Sequence, residues 1–198
     1  MTPATTTEVE TTNEVVQYSI VPGESTFTVQ AFAEGLLSAF AHDPIISIRS
    51  FAGEVAFVPE TFQQASLMLT IDAKSLAVTG GVKEKDLVEV ERAMRDEVLE
   101  VNNYSEITFT STNISASRIG AGRYRTRIIG DVTLHGVTQK NIWISGEATI
   151  AGETLRAKGD FSLKQKDFGI KPFAAVGGTI KLKNELKFSF DIAAARKG

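Results

Sequence analysis

From Tyr18 onward, apolar and polar residues alternate with a period of two, the spacing of strands that bury one face. The clearest run is TIKLKNELKFSFDI at residues 179–192. Ile180, Leu182, Leu186, Phe188, Phe190 and Ile192 fall on one parity, and Lys181, Lys183, Glu185, Lys187 and Asp191 fall on the other. Only Asn184 interrupts the apolar face. The same alternation recurs in STFTVQA, FAGEVAF, SLMLTI, SEITFTST, RYRTRIIGDVTL and RAKGDFSL. Pro22-Gly23, Pro59, Gly120-Ala121-Gly122, Gly152 and Gly177-Gly178 supply turn residues between the runs. Seven or eight long strands with short connections predict a mainly β domain, an antiparallel sandwich or barrel.

One segment changes period. In KEKDLVEVERAMRDEVLEVN, residues 83–102, Leu87, Val90, Met94 and Val98 recur at helical spacing with charges opposite. A single amphipathic helix between strands needs a surface for its apolar stripe, and the open end of a barrel is the expected place. Its charged side is expected to be ordinary solvated surface. TGGV at 79–82, just before the helix, is expected to be a bend.

At 198 residues the chain suits one domain large enough for a real core. Three of the 24 acidic residues, Glu8, Glu10 and Glu14, precede the first strand, and the remaining 21 balance the 21 lysines and arginines. A neutral body has no electrostatic footprint for nucleic acid. Residues 1–17 are expected to form a disordered polar tail and residues 18–195 a single domain. The apolar window AFAEGLLSAFA, residues 31–41, is too short to span a bilayer, so no transmembrane segment is expected. With no basic, apolar leader at its start, the sequence as given is expected to be cytoplasmic; after removal of a leader the expected setting is periplasmic or secreted. An exposed barrel mouth or sheet edge would let two copies pair, so a homodimer is one expected assembly.

The chain has no cysteine and two histidines, without metal-ligand spacing, so no metal site is expected. His135-Gly136, between two alternating runs, fits a two-residue hairpin turn with an exposed ring. Its nearest carboxylate in sequence, Asp131, lies roughly 13 Å back along an extended strand and cannot orient the ring. His42, beside the Asp43-Pro44 turn, is either a locally satisfied histidine or a polar group at a pocket mouth. Twelve phenylalanines against three tyrosines and one tryptophan supply apolar rings without polar handles. Periodicity alone leaves open whether such rings fill a core, the default, or surround a cavity.

The order of several motifs resembles the YceI-like family of lipocalin-like proteins that bind polyisoprenoids and related amphiphiles. The likeness runs through YSIVPGESTFTV, FAHDPIISIRSFAGEVAF, LTIDAKSL, VLEVNNYSEITFTSTNI, GDVTLHGVTQ and GDFSLKQKDFGI. GDVTLHGVT followed at this separation by KDFGI is its specific part. The resemblance implies an antiparallel lipocalin-like barrel of about eight strands with one inserted helix. It also implies a lumen holding a long apolar tail, such as that of an isoprenoid quinone, with its head near the opening, and a role as carrier or store. No catalytic residue and no cofactor other than the bound lipid is expected. The inward parity nominates Phe27, Val29, Phe51, Val55, Phe57, Leu69, Ile71, Phe109, Leu134, Phe161, Leu163, Phe188 and Phe190 as lining residues. Leu87, Val90 and Met94 would cover them from the helix. His42, Asn184 and the KDFGIKPF loop, with Phe168 and Phe173, are candidates for the head-group end. Two other readings stay open: an enzyme acting on an isoprenoid through His42 or Tyr124, and a structural barrel with a filled core.

Overall fold

A computed structural model of the chain describes residues 14–34, 43–175 and 180–198. The first thirteen residues, His42 and the Gly177-Gly178 turn lie outside them. The strands are β1 (Val16–Ile20), β2 (Thr26–Glu34), β3 (Ile45–Ile48), β4 (Phe51–Phe57), β5 (Ser66–Asp72), β6 (Leu76–Gly80), β7 (Glu106–Gly120), β8 (Arg123–Leu134), β9 (Val137–Ala151), β10 (Thr154–Lys164), β11 (Ala174–Ala175) and β12 (Ile180–Arg196). Helix α1 (Glu84–Ala93) runs on into a wider π turn over Met94–Val98, closed by Leu99 N–H donating to Met94 O at 2.9 Å.

Neighbouring strands are antiparallel in the order β1-β4-β5-β7-β8-β9-β10-β12, and β12 pairs back onto β1, which closes an eight-stranded barrel. Strands β2, β3 and β6 continue from β12 as an extension of the wall. Strand β12 serves both parts because it is 17 residues long. It pairs with β2 over Lys181–Asp191 and with β1 over Ala194–Arg196.

The extension arises from three strands that break. A turn at Pro22–Glu24 separates β1 from β2, Arg49-Ser50 separates β3 from β4, and a turn at Ala73–Ser75 separates β5 from β6. Side chains take up backbone groups freed at the breaks. Ser25 Oγ donates to Val21 O at 2.7 Å, Asp72 Oδ1 accepts from Lys74 N–H at 2.9 Å, and Ser75 Oγ accepts from Ser50 N–H at 3.0 Å. Such local bonds are the usual function of Ser and Asp at turns.

The sequence reading missed β6. Leu76, Ala77 and Val78 are all buried, so the period-two signal vanishes there. The predicted bend falls at Gly81, which has φ +72°. On the other outer strands the alternation holds: β9 points Ile142, Ile144, Ala148 and Ile150 inward and Trp143, Ser145 and Glu147 outward.

Candidate functional site

The barrel is hollow. A cavity of about 280 Å³ lies inside it, close to the lower limit of roughly 300 Å³ for pockets that bury drug-sized ligands. Among its described lining residues only Thr108, Thr126 and Gln165 carry a polar side chain, and none is charged. One end is the barrel mouth, where Val90 and Ala93 of α1, Met94, Val98 and Leu99 after it, Pro44, Phe173 and Leu182 contribute. The other end reaches Phe62, Ala65, Ile150, Leu155 and Ala194.

Rings build much of the wall. Phe161 and Phe188 stack at 4.9 Å, and Phe27 meets Phe188 and Phe190 edge-on, each at 6.4 Å. The far end is closed by a second aromatic group. Phe62 packs on Phe57 at 5.0 Å and edge-on to Tyr124 at 4.7 Å, and Tyr18 stacks behind Phe57 at 5.6 Å. Burial pushes the Tyr18 phenol above its ordinary pKa. Two glycines let rings lie against the backbone. A Cβ on Gly130 would strike the Phe109 ring, and one on Gly159 would meet the Phe190 ring at 2.7 Å.

The mouth is covered by α1, held by polar contacts as well as by its apolar stripe. Glu91 Oε1 accepts from Val78 N–H at 2.9 Å, Arg95 Nη2 donates to Leu76 O at 3.1 Å, and the two side chains pair at 3.4 Å. Helix side chains thereby satisfy the edge of β6 that faces away from β3.

Of the nominated residues, Phe27, Val29, Val55, Phe57, Leu69, Ile71, Val90, Met94, Phe109, Leu134, Phe161, Leu163, Phe173, Phe188 and Phe190 line the cavity. Four do not. Phe51 is buried behind the wall against the edge of Phe27, at 6.1 Å. Phe168 is 1% exposed and packs in the core among Leu134, Leu163 and Ile170. Leu87 lies on the helix stripe but one turn short of the cavity. Asn184 holds the turn after β10: its Oδ1 accepts from Lys166 N–H at 2.9 Å. His42 falls outside the described residues.

The sequence reading overlooked Gln165, Thr126 and the far-end residues Phe62, Ile150 and Leu155. Continuing the inward parity along the full length of β8, β9 and β10, and just past the end of β10, reaches all of these but Phe62, which sits in a loop.

His135 is the corner that the sequence indicated. It and Gly136 have φ of +53° and +71°, the conformation of a type I′ hairpin. The expected exposure of its ring is corrected by the structure. The side chain is only 13% exposed, packs against Tyr104 with ring centroids 4.3 Å apart and planes tilted by 49°, and brings Nε2 within 3.3 Å of Glu100 Oε1. Tyr104 and Glu100 come from the loop after α1, so the histidine ties that loop to the β8–β9 hairpin. Asp131, as expected, is elsewhere; its Oδ1 accepts from Asn141 N–H at 3.2 Å. Among the described residues no cluster of acidic or histidine side chains could hold a metal ion, and no helix is long and apolar enough to cross a membrane.

Comparison with known proteins agrees with this geometry. Residues 18–194 match the YceI-like domain. A UPF0312 protein of Vibrio cholerae is 30% identical over 131 residues, a span covering 63% of this chain and 64% of that relative's length. Among solved structures, a polyisoprenoid binding domain from Saccharophagus degradans superposes with a TM-score of 0.64 at 14% identity, over 91% of this chain and 98% of that one. Burkholderia cenocepacia BcnA superposes with a TM-score of 0.63 at 17% identity, over 89% and 99% of the two chains. At such identities these structures establish the barrel fold.

Proposed function

We propose, from the premise that this chain belongs to the YceI-like domain family, that its barrel binds a long-chain amphiphile such as an isoprenoid quinone or polyisoprenoid, and carries or stores it. The observation that carries this reading is the apolar cavity, walled by phenylalanine and aliphatic side chains from the α1 end to Phe62. An apolar chain transferred from water into such a space gains about 0.8 kcal/mol per methylene, so two isoprene units contribute several kcal/mol before ordering costs. The polyisoprenoid-binding relative from Saccharophagus degradans supports the same ligand class. Retention by burial needs no covalent or metal chemistry.

Native mass spectrometry of the protein purified from its own host tests the proposal. A lipid-sized adduct is expected that organic extraction removes and an added prenyl quinone restores. No adduct, together with no uptake of added quinone, would overturn it.

A further inference from the structure

The alternation of β10 continues past the strand's end. Phe161 and Leu163 face the lumen, Lys164 and Lys166 are exposed, and Gln165 between them is turned inward and only 4% exposed. A buried amide in an otherwise apolar wall is costly unless its hydrogen bonds are made. One of them is made: Gln165 Nε2 donates to Lys183 O at 2.9 Å. Lys183 lies in the irregular stretch of β12 between Leu182 and Leu186, where the ladder to β2 shifts register. That contact explains why a polar residue stands here, and it uses one of the two amide N–H groups and neither lone pair of the amide oxygen. Among the described residues the contact to Lys183 O is the one hydrogen bond of this side chain, and Gln165 lines the cavity at its mouth end, near Ile170, Phe173 and Leu182.

We infer that Gln165 reads the head group of the bound chain and selects a neutral hydrogen-bonding head, a quinone carbonyl or an alcohol hydroxyl, over a phosphate. This rests on the apolar-chain reading above and names the ligand class of the same cavity. A primary amide offers a donor to a carbonyl and both a donor and an acceptor to a hydroxyl. A phosphate entering the same position would lose its hydration with no cation among the described lining residues to replace it, because the neighbouring Lys164 and Lys166 are exposed. The head then sits under α1 while the tail extends toward Phe62.

Delipidated full-length protein is titrated with a prenylated benzoquinone, the matching prenyl alcohol, the matching prenyl phosphate and a hydrocarbon of equal length. Wild type is expected to hold the quinone and alcohol roughly tenfold more tightly than the hydrocarbon, the worth of one buried hydrogen bond, and the phosphate least tightly. Gln165→Met, similar in length but without the amide's donor and acceptor, is expected to erase the preference, so that quinone, alcohol and hydrocarbon bind with similar affinity. A second reading needs no variant: in wild type, infrared difference spectra of the carbonyl-labelled quinone should show its C=O stretch lowered by the amide donor. Preference retained in Gln165→Met, an unshifted stretch, or tightest binding of the phosphate would overturn the inference and leave the apolar-chain reading standing. Failure of all four probes to bind wild type would overturn both.

Discussion

Asp191 lies on the outer face of β12, with Arg156 Nε at 2.6 Å and Lys158 Nζ at 2.9 Å. The hydrogen bond from Arg156 is the main cause that lowers its carboxyl pKa from 3.8 to about 2, against a smaller opposing effect of burial. A carboxylate with a depressed folded-state pKa contributes stability above its unfolded value, and loses that contribution as pH falls from about 4 through about 2. Both cationic partners are more than half exposed, so solvent screening reduces the gain to roughly 1 kcal/mol. Asp191→Asn should therefore be less stable than wild type by about that amount near pH 7, with the gap closing toward about pH 2. Urea midpoints at the two pH values measure it, and a gap of equal size at both would refute the assignment. Asp191 also illustrates what a single chain makes legible. Its outward parity was plain in the sequence, yet its partners were not, because Arg156 and Lys158 arrive from another strand whose register no local pattern specifies. Phe51 shows the converse limit. Parity says that a ring points inward, but not whether another ring stands between it and the lumen.

At the scale of elements, long strands with one dry face were readable and interrupted ones were not. The runs over β7 to β10 and β12 match the alternation, whereas β3 and β6 are short and lie beside breaks, so four or five residues of pattern compete with turn signals. The helix was readable from its stripe, but its latch was not. Glu91 and Arg95 look like an ordinary solvent-facing pair at (i, i+4), and only the folded chain shows them satisfying Val78 N–H and Leu76 O. An unpaired strand edge invites association with other chains, and a covering helix is one way to protect it. Glu91→Ala leaves the Val78 N–H without its acceptor and should cost about 1–3 kcal/mol. The loss should be local: hydrogen exchange at Val78 and along α1 should speed up by about tenfold or more, while β7 to β10 stay protected. Unchanged protection at Val78 would mean that the carboxylate contributes nothing to closing the mouth.

For the whole molecule, the deciding question was whether an inward face rich in phenylalanine packs solid, and alternation is silent on it because both outcomes use the same parity. The answer depends on which residues face each other across the wall. Ala157 pairs with Ala148, and Leu155 with Ala194, so alanines on β9, β10 and β12 face the lumen toward its far end and leave it open there. The aromatic group of Phe57, Phe62 and Tyr124 then sets the floor. If that is what fixes the usable length, filling the small-residue patch should shorten the chain that fits without changing how a short one binds. Ala157→Phe places a ring in the lumen between α1 and the floor, at a packing cost of about 1–3 kcal/mol, tempered by the space already there. Displacement of a fluorescent fatty probe by prenyl alcohols of increasing length should give short-chain affinities within about twofold of wild type. Long-chain affinity should fall by about tenfold or more, since each methylene kept out of the lumen forfeits about 0.8 kcal/mol. An equal loss at every length would instead place the length-determining region at the mouth, with the far half of the cavity taking no part in holding the tail.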